Sequence, residues 1–225
     1  MADGTIGGNE RFQLMKEKLY TGVICDTLDE LGCRHQAMRE NIRPLLPLAA
    51  DNFVGRAKTL LSVDVYHMAE RPYEMEIRAI DSIKPGEVLV AGTNQSVNNG
   101  LWGELLSTAA QMRGAAGAVI DGLVRDTKRI GELRFPVYCT GIKPVDSRGR
   151  GLVIAYDCPV AVGGVTVHPQ DVVFADCDGV AVIPARLFET VVDMALDKAE
   201  RENRTRRELL EGKLLRDVYE KYGVL

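Results

Sequence analysis

The first hydrophobic pattern along the chain is helical. Between residues 11 and 32 apolar side chains recur at steps of three and four, and Gly32 follows as a natural helix end. Thr21 is also a suitable N-cap residue, so the stretch can instead form two helices with a break near Thr21–Gly22. The apolar positions of this pattern are Leu14, Leu19, Val23, Ile24, Leu28 and Leu31.

The middle of the chain alternates apolar runs with polar turns, as expected for mixed helices and strands. A loop containing Pro44 and Pro47 precedes Val54–Tyr66, which is dense in β-forming residues and predicts a strand. A turn at residues 83–87 leads into a short buried strand at residues 88–91, and a polar loop is predicted over Thr93–Gly100. The next predicted elements are a helix at 104–113 ended by Gly114, a strand at 118–121 and a strand at 135–139.

Beyond Gly141 the sequence becomes rich in glycine and in short β-type runs. The predicted strands cover residues 152–156, 160–162, 165–167, 172–175 and 180–183. Pro184 ends this region, a long charged amphipathic helix is predicted over residues 185 to about 211, and a short helix is predicted before Gly223. Alternating elements followed by consecutive strands favour a mixed sheet flanked by helices over a doubly wound parallel sheet.

Length and composition narrow the class of protein. With 225 residues and 46% hydrophobic content, the chain is long enough for one domain spanning 1–225, with N-terminal helices over about 1–35 and a C-terminal helical arm over about 185–225. The net charge of -4 argues against a nucleic-acid binder. No apolar run approaches a membrane span, and Met1–Glu10 lacks signal-peptide features, so we expect a soluble cytoplasmic protein without membrane partners.

The cysteines and histidines give no sign of a zinc or thiol site. Five scattered cysteines contain no CxxC pair, which favours free thiols over a disulfide framework. The three histidines, His35, His67 and His168, are far apart in sequence. A Cys–His catalytic pair therefore has no local support.

The first candidate for chemistry is the helix start at Gly103-Glu104-Leu105-Leu106. The free N–H groups of Leu105 and Leu106 would favour an anion in the first turn of this helix. The alternative is an ordinary loop-to-helix junction, in which Glu104 simply complements the helix dipole.

The second candidate is the adjacent pair Arg125-Asp126, which follows a predicted strand and the Asp121-Gly122 turn. Arginine can bind a carboxylate through two hydrogen bonds, and an aspartate can bind a hard cation such as Mg²⁺ or Mn²⁺. The alternative is local: Asp126 caps the Thr127–Ile130 turn and Arg125 pairs with it.

The motif G-E-L-L, with twenty residues between its Glu104 and the Arg125 of R-D, followed by F-P-V, closely resembles the RraA-like family. That family includes the metal-dependent 4-hydroxy-4-methyl-2-oxoglutarate / 4-carboxy-4-hydroxy-2-oxoadipate aldolases and the regulator of ribonuclease activity. Thr21–Gly32, Pro85-Gly86, Gly163-Gly164-Val165 and Ala175–Pro184 also resemble family landmarks. The resemblance implies an α/β fold of the swivelling β/β/α type, with mixed sheets and a C-terminal helical arm.

The resemblance also implies roles for individual residues. Asp126 would bind the divalent metal directly, and Arg125 would hold the substrate carboxylate and polarise its 2-oxo group. The amides of Leu105 and Leu106, after Gly103, would contact the pyruvyl portion. Glu104 stands where the aldolases have aspartate and would hold metal-bound water. Because glutamate is one methylene longer than aspartate, it is harder to distinguish whether Glu104 would bind the metal directly or through water.

In the aldolases a glutamate from the C-terminal helix of a neighbouring subunit reaches the metal-water shell. Glu202 is the best match in this chain, with Glu200 as the substitute. A site shared in this way requires a homotrimer, or a hexamer of two trimers. The charged run around Arg201–Arg207 is otherwise typical of a solvated helix face, with Glu202 and Arg206 at i,i+4 spacing.

These residues predict an enzyme acting on a small 2-oxo acid. Retro-aldol cleavage of a 4-hydroxy-2-oxo diacid and decarboxylation of oxaloacetate both generate the pyruvate enolate, which a Lewis acid stabilises. For the aldol reaction, the expected base is a metal-associated water held by Glu104. Two other hypotheses are a non-catalytic regulator that binds a ribonuclease or RNA helicase and a Schiff-base aldolase using Lys58.

Three further residues receive structural interpretations. Lys58 itself is more simply a solvated lysine at a strand edge. The acidic side chains in Asp176-Cys177-Asp178-Gly179 are expected to form a turn rather than a metal loop. Trp102 is expected to pack in the core.

Overall fold

The computed structural model describes residues 6–46 and 52–224, with the side chains described from residue 10 onward. Pro47 and the first five residues, which entered the sequence-based predictions, lie outside the described part. The helices are α1 Ile6–Lys18, α2 Thr21–Glu30, α3 Glu74–Asp81, α4 Glu104–Met112, α5 Thr127–Leu133, α6 Phe188–Leu210 and α7 Leu215–Tyr222. The strands are β1 Arg43–Pro44, β2 Phe53–Asp64, β3 Glu87–Trp102, β4 Gly117–Val124, β5 Val137–Ile142, β6 Gly151–Tyr156, β7 Val160–Val162, β8 Val165–Val167, β9 Val172–Asp176 and β10 Gly179–Ile183.

Most strands form one mixed sheet in the order β1-β5-β4-β3-β2-β9-β10, with β6 also pairing with β2. Its centre, β2 to β5, is parallel, whereas β1, β6, β9 and β10 join through antiparallel pairs. A separate hairpin, β7–β8, forms a second small sheet. The predicted mixed-sheet α/β fold with a C-terminal helix is confirmed.

The layers follow from the two-residue period of the central strands. Leu89, Ala91 and Ile120 point to the face covered by α3, α4 and α5. Val88, Val90 and Val119 point to the opposite face, where the valines of the β7–β8 hairpin cover them. A third apolar cluster joins α1, α2 and α6 to β9 and β10. The central sheet therefore lies between a helical layer and a smaller β layer.

Several sequence-based elements are confirmed. The N-terminal stretch does form two helices, but the break lies at Leu19–Tyr20: Tyr20 is the N-cap residue and Thr21 begins α2, so the prediction that Thr21 caps the helix is wrong. The long C-terminal helix is present as α6, preceded by a 3₁₀ turn at Ala185–Leu187, and α7 ends at the left-handed Gly223. Among the helices that the structure describes, none has the length and apolar character needed to cross a lipid bilayer.

The predicted polar loop over Thr93–Gly100 is wrong, because β3 continues through it to Trp102. Asn94 and Gln95 adopt left-handed backbone conformations, with φ of 55° and 59°. They interrupt the regular register after Ala91, and the pairing with β4 continues in a shifted register from Ser96, opposite Gly122. Polar composition indicated a loop, but backbone pairing to β4 holds this segment as an irregular strand.

The predicted exposure of Lys58 is also wrong. β2 is an interior strand, so Lys58 is only 4% exposed. Its Nζ donates to Asp157 Oδ2 at 2.7 Å and lies over the Tyr156 ring. An ion pair to a partly exposed carboxylate makes this burial tolerable.

Candidate active site

The candidate site begins where β4 ends. Arg125 continues the strand by donating its backbone N–H to the carbonyl of Trp102 at 2.8 Å. Asp126 then turns into the left-handed region, with φ 58° and ψ 32°, immediately before α5. Aspartate is among the few residues that tolerate this conformation. The turn places two charged side chains beside the start of α4.

The carboxylate of Asp126 faces α4 rather than its own helix. It makes no capping hydrogen bond to α5, so the local capping alternative is wrong. Instead, Oδ2 accepts the backbone N–H of Glu104 at 3.3 Å. The side chain remains 43% exposed, which leaves carboxylate oxygen available to a ligand.

Arg125 is held mainly by a residue that the sequence did not indicate. Its Nη2 lies 3.1 Å from Asp146 Oδ1, whereas its Nε lies 3.9 Å from Asp126 Oδ2. The Nε atom is buried and has no hydrogen-bond acceptor among the described residues. The side chain as a whole is 36% exposed and lines the cavity, so the exposed part of the guanidinium is what an anionic group in the cavity can meet.

One cavity of about 290 Å³ brings these groups together. Gly103, Leu105 and Leu106 line it from the start of α4, beside Arg125 and Asp126. As at any helix start, the first-turn N–H groups of α4 lack partners within the helix. Tyr73, Glu76, Ile77, Leu101, Asp146 and Ser147 complete the lining.

Among the remaining predicted residues, Glu104 adjoins the site, whereas Glu202 and its substitute Glu200 lie on α6. The Glu104 carboxylate accepts a hydrogen bond from Thr108 Oγ1 at 2.8 Å, and Glu104 contributes to the site through its backbone N–H. Glu202 lies on α6, where burial raises the pKa of its carboxyl. Glu200 pairs with Arg204 at 3.5 Å. No described residue of α6 from the same chain lines the cavity, so the role of Glu202 in a neighbouring site stays a prediction.

Four polar residues of the cavity were missed from the sequence: Tyr73, Glu76, Asp146 and Ser147. α3 brings in Glu76, and the loop before β6 brings in Asp146. One signal in the sequence could have indicated Glu76. It lies three residues before Ala79 and four before Ile80, so it shares a helix face with two core residues, where an acidic side chain is unusual. The Asp146 loop carries no comparable pattern.

Asp146 connects the cavity wall to Arg125. Its Oδ2 accepts the Tyr73 hydroxyl, and its Oδ1 accepts the Ser147 backbone N–H at 2.9 Å. Burial opposes its ionisation, but the Tyr73 hydrogen bond and the Arg125 charge outweigh it and lower the pKa of Asp146. Asp146 is therefore ionised at neutral pH and orients Arg125.

Glu76 has the opposite behaviour. Burial, followed by the negative charge of Asp146, raises its pKa to about 7, although Arg125 acts in the other direction. Two carboxyl groups of the cavity wall therefore differ in charge state: Asp146 is ionised at neutral pH, whereas Glu76 has a pKa of about 7.

The donor set suits a hard divalent cation. Asp126 offers a partly exposed carboxylate not used as a cap, and Mg²⁺ or Mn²⁺ commonly binds through one or two carboxylates while keeping several waters. A second group of oxygen and sulfur donors, Asp176-Cys177-Asp178, also lies within metal-ligand spacing. Its Asp176 is engaged by the N–H and hydroxyl of Thr21 and the N–H of Asp178, which confirms the predicted turn.

The remaining structural expectations also hold. All five cysteines are free thiols. Trp102 is buried, donates its indole N–H to Ser107 Oγ at 2.7 Å and stacks on Phe135. Lys58 does not line the cavity that contains Arg125, so the described site gives the Schiff-base hypothesis no nucleophile.

Comparison with known proteins places the chain in a family. The model of the RraA-like family, described as Aldolase/RraA, matches residues 21–182. The chain belongs to the RraA-like family.

Individual RraA-like relatives carry different names. A Halalkalibacterium halodurans protein named "Putative 4-hydroxy-4-methyl-2-oxoglutarate aldolase" is 31% identical over 79% of this chain and 79% of its own length. Protein DlpA of Legionella pneumophila is 33% identical over 64% of this chain, and the match spans only 23% of DlpA.

A solved structure gives the same fold. Streptomyces coelicolor RraAS2, described as an unusual member of the RNase ES inhibitor RraA protein family, is 32% identical with a TM-score of 0.79. The match covers 88% of this chain and 98% of that one. The two names, aldolase and ribonuclease inhibitor, correspond to the two leading hypotheses for this chain.

Proposed function

We propose that this RraA-like chain is a divalent-metal-dependent lyase. It cleaves 4-hydroxy-2-oxo diacids of the 4-hydroxy-4-methyl-2-oxoglutarate type to pyruvate and a second 2-oxo acid. The same site decarboxylates oxaloacetate. The observation that carries the proposal is the convergence of Arg125, Asp126 and the first turn of α4 on one cavity.

Each group has a task in binding the substrate. Arg125 binds the carboxylate next to the 2-oxo group with the part of its guanidinium that Asp146 leaves free. The N–H groups of Leu105 and Leu106 face the same pyruvyl oxygens from the helix start. These donors are preorganised and favour the negative charge that develops on the 2-oxo oxygen during C–C cleavage.

In this proposal Asp126 would bind Mg²⁺ or Mn²⁺ directly. Glu104 of the same chain and Glu202 of a neighbouring subunit would hold water molecules on the ion. The bound ion supplies Lewis-acid polarisation of the 2-oxo group. Arg125 and the backbone amides at the start of α4 would hold the substrate so that its 2-oxo group faces the ion.

The proposal includes a homotrimer, or a hexamer of two trimers, in the cytoplasm. Two apolar side chains at the cavity, Ile77 and Leu105, are 53% and 76% exposed. Exposed apolar side chains grouped at one opening are suited to an interface with another subunit. Such an interface would bring Glu202 of that subunit toward the cavity.

The test is pyruvate release from oxaloacetate by the Mn²⁺-loaded protein, compared with Arg125→Ala and Asp126→Ala. We expect both variants to lose turnover while light scattering shows an unchanged oligomer. If the wild type remains active in EDTA, the metal-dependent mechanism is excluded. Trapping of the substrate by borohydride would then indicate a Schiff base on a lysine.

A regulator of a ribonuclease or RNA helicase is the second candidate, favoured by the similarity to Streptomyces coelicolor RraAS2, a member of the RNase ES inhibitor RraA protein family. It predicts that Mn²⁺-loaded protein turns over neither oxaloacetate nor 4-hydroxy-4-methyl-2-oxoglutarate. It also predicts inhibition of a purified ribonuclease at stoichiometric concentration, which the lyase proposal does not require.

A further inference from the structure

Glu76 is a buried carboxylate in the cavity wall that the proposed function has not used. It is 6% exposed, lies on α3 and lines the cavity with Arg125 and Asp126. Glu74, two residues earlier, accepts a hydrogen bond from Arg78 at 2.6 Å. By contrast, within the described ranges 10–46 and 52–224 no side chain or backbone N–H donates a hydrogen bond to Glu76.

The other carboxylates around the cavity are already engaged. Asp146 accepts from Arg125, Tyr73 and the Ser147 N–H. Asp126 accepts the Glu104 N–H, and the carboxylate of Glu104 accepts the Thr108 hydroxyl. Asp126 keeps oxygen for the proposed metal, so Glu76 is the cavity carboxylate that, among the described residues, accepts no hydrogen bond and can bond with a substrate group entering the cavity. A buried carboxylate that lacks an internal partner costs stability, so its place in the wall calls for a functional reason.

The charged groups that act on Glu76 are Asp146 and Arg125. Tyr73, which donates its hydroxyl to Asp146, lines the same cavity, and the negative charge of Glu76 contributes to raising the pKa of Tyr73. Burial and Asp146 favour the neutral acid, whereas Arg125 favours the anion. With a pKa of about 7, both forms are populated at neutral pH. A group that can both accept and donate a proton at working pH is suited to general acid–base chemistry.

We propose that Glu76 is the catalytic residue that carries the proton in the C–C cleavage, an inference that rests on the proposed function. In the retro-aldol reaction, the Glu76 carboxylate removes the proton of the 4-hydroxyl. The C3–C4 bond breaks, the C4 oxygen becomes the carbonyl of the released 2-oxo acid, and the electron pair passes to the pyruvate enolate. Glu76 then returns the same proton to C3, which forms the methyl group of pyruvate and restores the carboxylate.

This assignment replaces the metal-associated water held by Glu104 as the expected base. It also separates the two reactions of the site. Loss of CO₂ from oxaloacetate requires no hydroxyl deprotonation, and its enolate product can take a proton from water. Removing the proton carrier should therefore slow the aldol cleavage far more than the decarboxylation.

The experiment compares wild type, Glu76→Gln and the matched control Glu74→Gln, all loaded with Mn²⁺. Each protein is assayed with 4-hydroxy-4-methyl-2-oxoglutarate and with oxaloacetate, and its fold is checked by circular dichroism. We expect E76Q to lose about 10²- to 10⁴-fold in kcat for aldol cleavage and less than about tenfold for decarboxylation. E74Q should keep both activities.

A second readout does not depend on turnover. The side-chain carboxyl of Glu76, followed by ¹³C NMR in the metal-free protein and assigned by its absence in E76Q, should titrate near pH 7. A midpoint near the ordinary value of 4.5 overturns the assignment.

The outcomes separate the two proposals. If the wild type is active but E76Q loses both reactions equally, or keeps both, the role of Glu76 is overturned and the lyase stands. If the wild type turns over neither substrate, the lyase proposal fails and the role of Glu76 fails with it.

Discussion

Gly103 and Asp126 are packed so closely that a Cβ atom on Gly103 would lie 2.7 Å from Asp126 Oδ2. The same atom would lie 3.2 Å from Cγ and 3.3 Å from Nε of Arg125. The backbone of Gly103 is extended, with φ of -144°, so the glycine is required here for space rather than for an unusual conformation. The absence of a side chain at 103 lets the α4 start meet both charged residues.

Gly103→Ala should therefore damage the site more than the fold. The added methyl group must displace the Asp126 carboxylate or the Arg125 side chain. Displacements on the order of 1 Å in a catalytic constellation reduce rates by about 10²-fold. We expect pyruvate production to fall by about that factor while circular dichroism is unchanged. Gly22→Ala is the control, because its Cβ would make only ordinary contacts of 3.4 Å with Tyr20; equal losses in both variants would contradict the account.

Asp126→Asn should abolish stabilisation of the protein by divalent metal. A cation that binds only the folded state raises the melting temperature in a concentration-dependent manner. Replacing the proposed direct ligand with a neutral amide weakens binding of a hard cation. The measurement is the shift in Tm on adding Mn²⁺, without substrate.

Asp178→Asn is the matched control for metal binding, because Asp178 belongs to the other group of donors with metal-ligand spacing. It should retain the Mn²⁺-dependent shift. Loss of the shift in D178N with retention in D126N would place the ion at residues 176–178 instead.

Asp146→Asn should lower the pKa of Glu76. The negative charge of Asp146 disfavours the Glu76 anion, so its removal favours that anion. Arg125, released from Asp146, acts in the same direction. The ¹³C titration of Glu76 should therefore move to lower pH in D146N. Asp81→Asn, which removes an α3 carboxylate paired with Arg113, should leave the midpoint unchanged; a midpoint that rises or stays fixed in D146N would refute the electrostatic argument.

Glu76→Gln should make the folded protein more stable at alkaline pH. The folded-state pKa of Glu76 is about 7, above the value of 4.5 expected when unfolded, so the folded state binds more protons between these values. The contribution of Glu76 to the free energy of unfolding is fully present below about pH 4.5. It is lost as pH rises through 7, and the loss is at most about 3 kcal/mol. Urea unfolding at pH 5 and pH 8 should show a smaller decline in E76Q than in wild type or E74Q.

The sequence predicted the parts of the site that are local. Gly103–Leu106 and Arg125-Asp126 each lie at a strand–helix junction, and junctions are readable from apolar runs and turn residues. The motif does not include the cavity residues that come from other elements of the fold. Asp146 and Glu76 reach Arg125 from a loop and a helix far away in the chain, and only tertiary packing brings them there.

Two other errors have the same origin. The polar residues of Thr93–Gly100 indicate a loop, yet pairing with β4 keeps the segment in the sheet. The charge of Lys58 indicates a strand edge, yet β2 lies between β3 and β9. Strand neighbours are set by the whole topology, which composition does not reveal.

The central claim is that Arg125, Asp126 and a divalent ion at the α4 start form a pyruvate-releasing lyase site. The most direct measurement is pyruvate formation from 4-hydroxy-4-methyl-2-oxoglutarate by the Mn²⁺-loaded wild type, after EDTA treatment and after restoring Mn²⁺, with Asp126→Ala in parallel. The account predicts turnover that EDTA abolishes, Mn²⁺ restores and D126A lacks throughout. Turnover that persists in EDTA or in D126A, or no turnover by the Mn²⁺-loaded wild type, would contradict it.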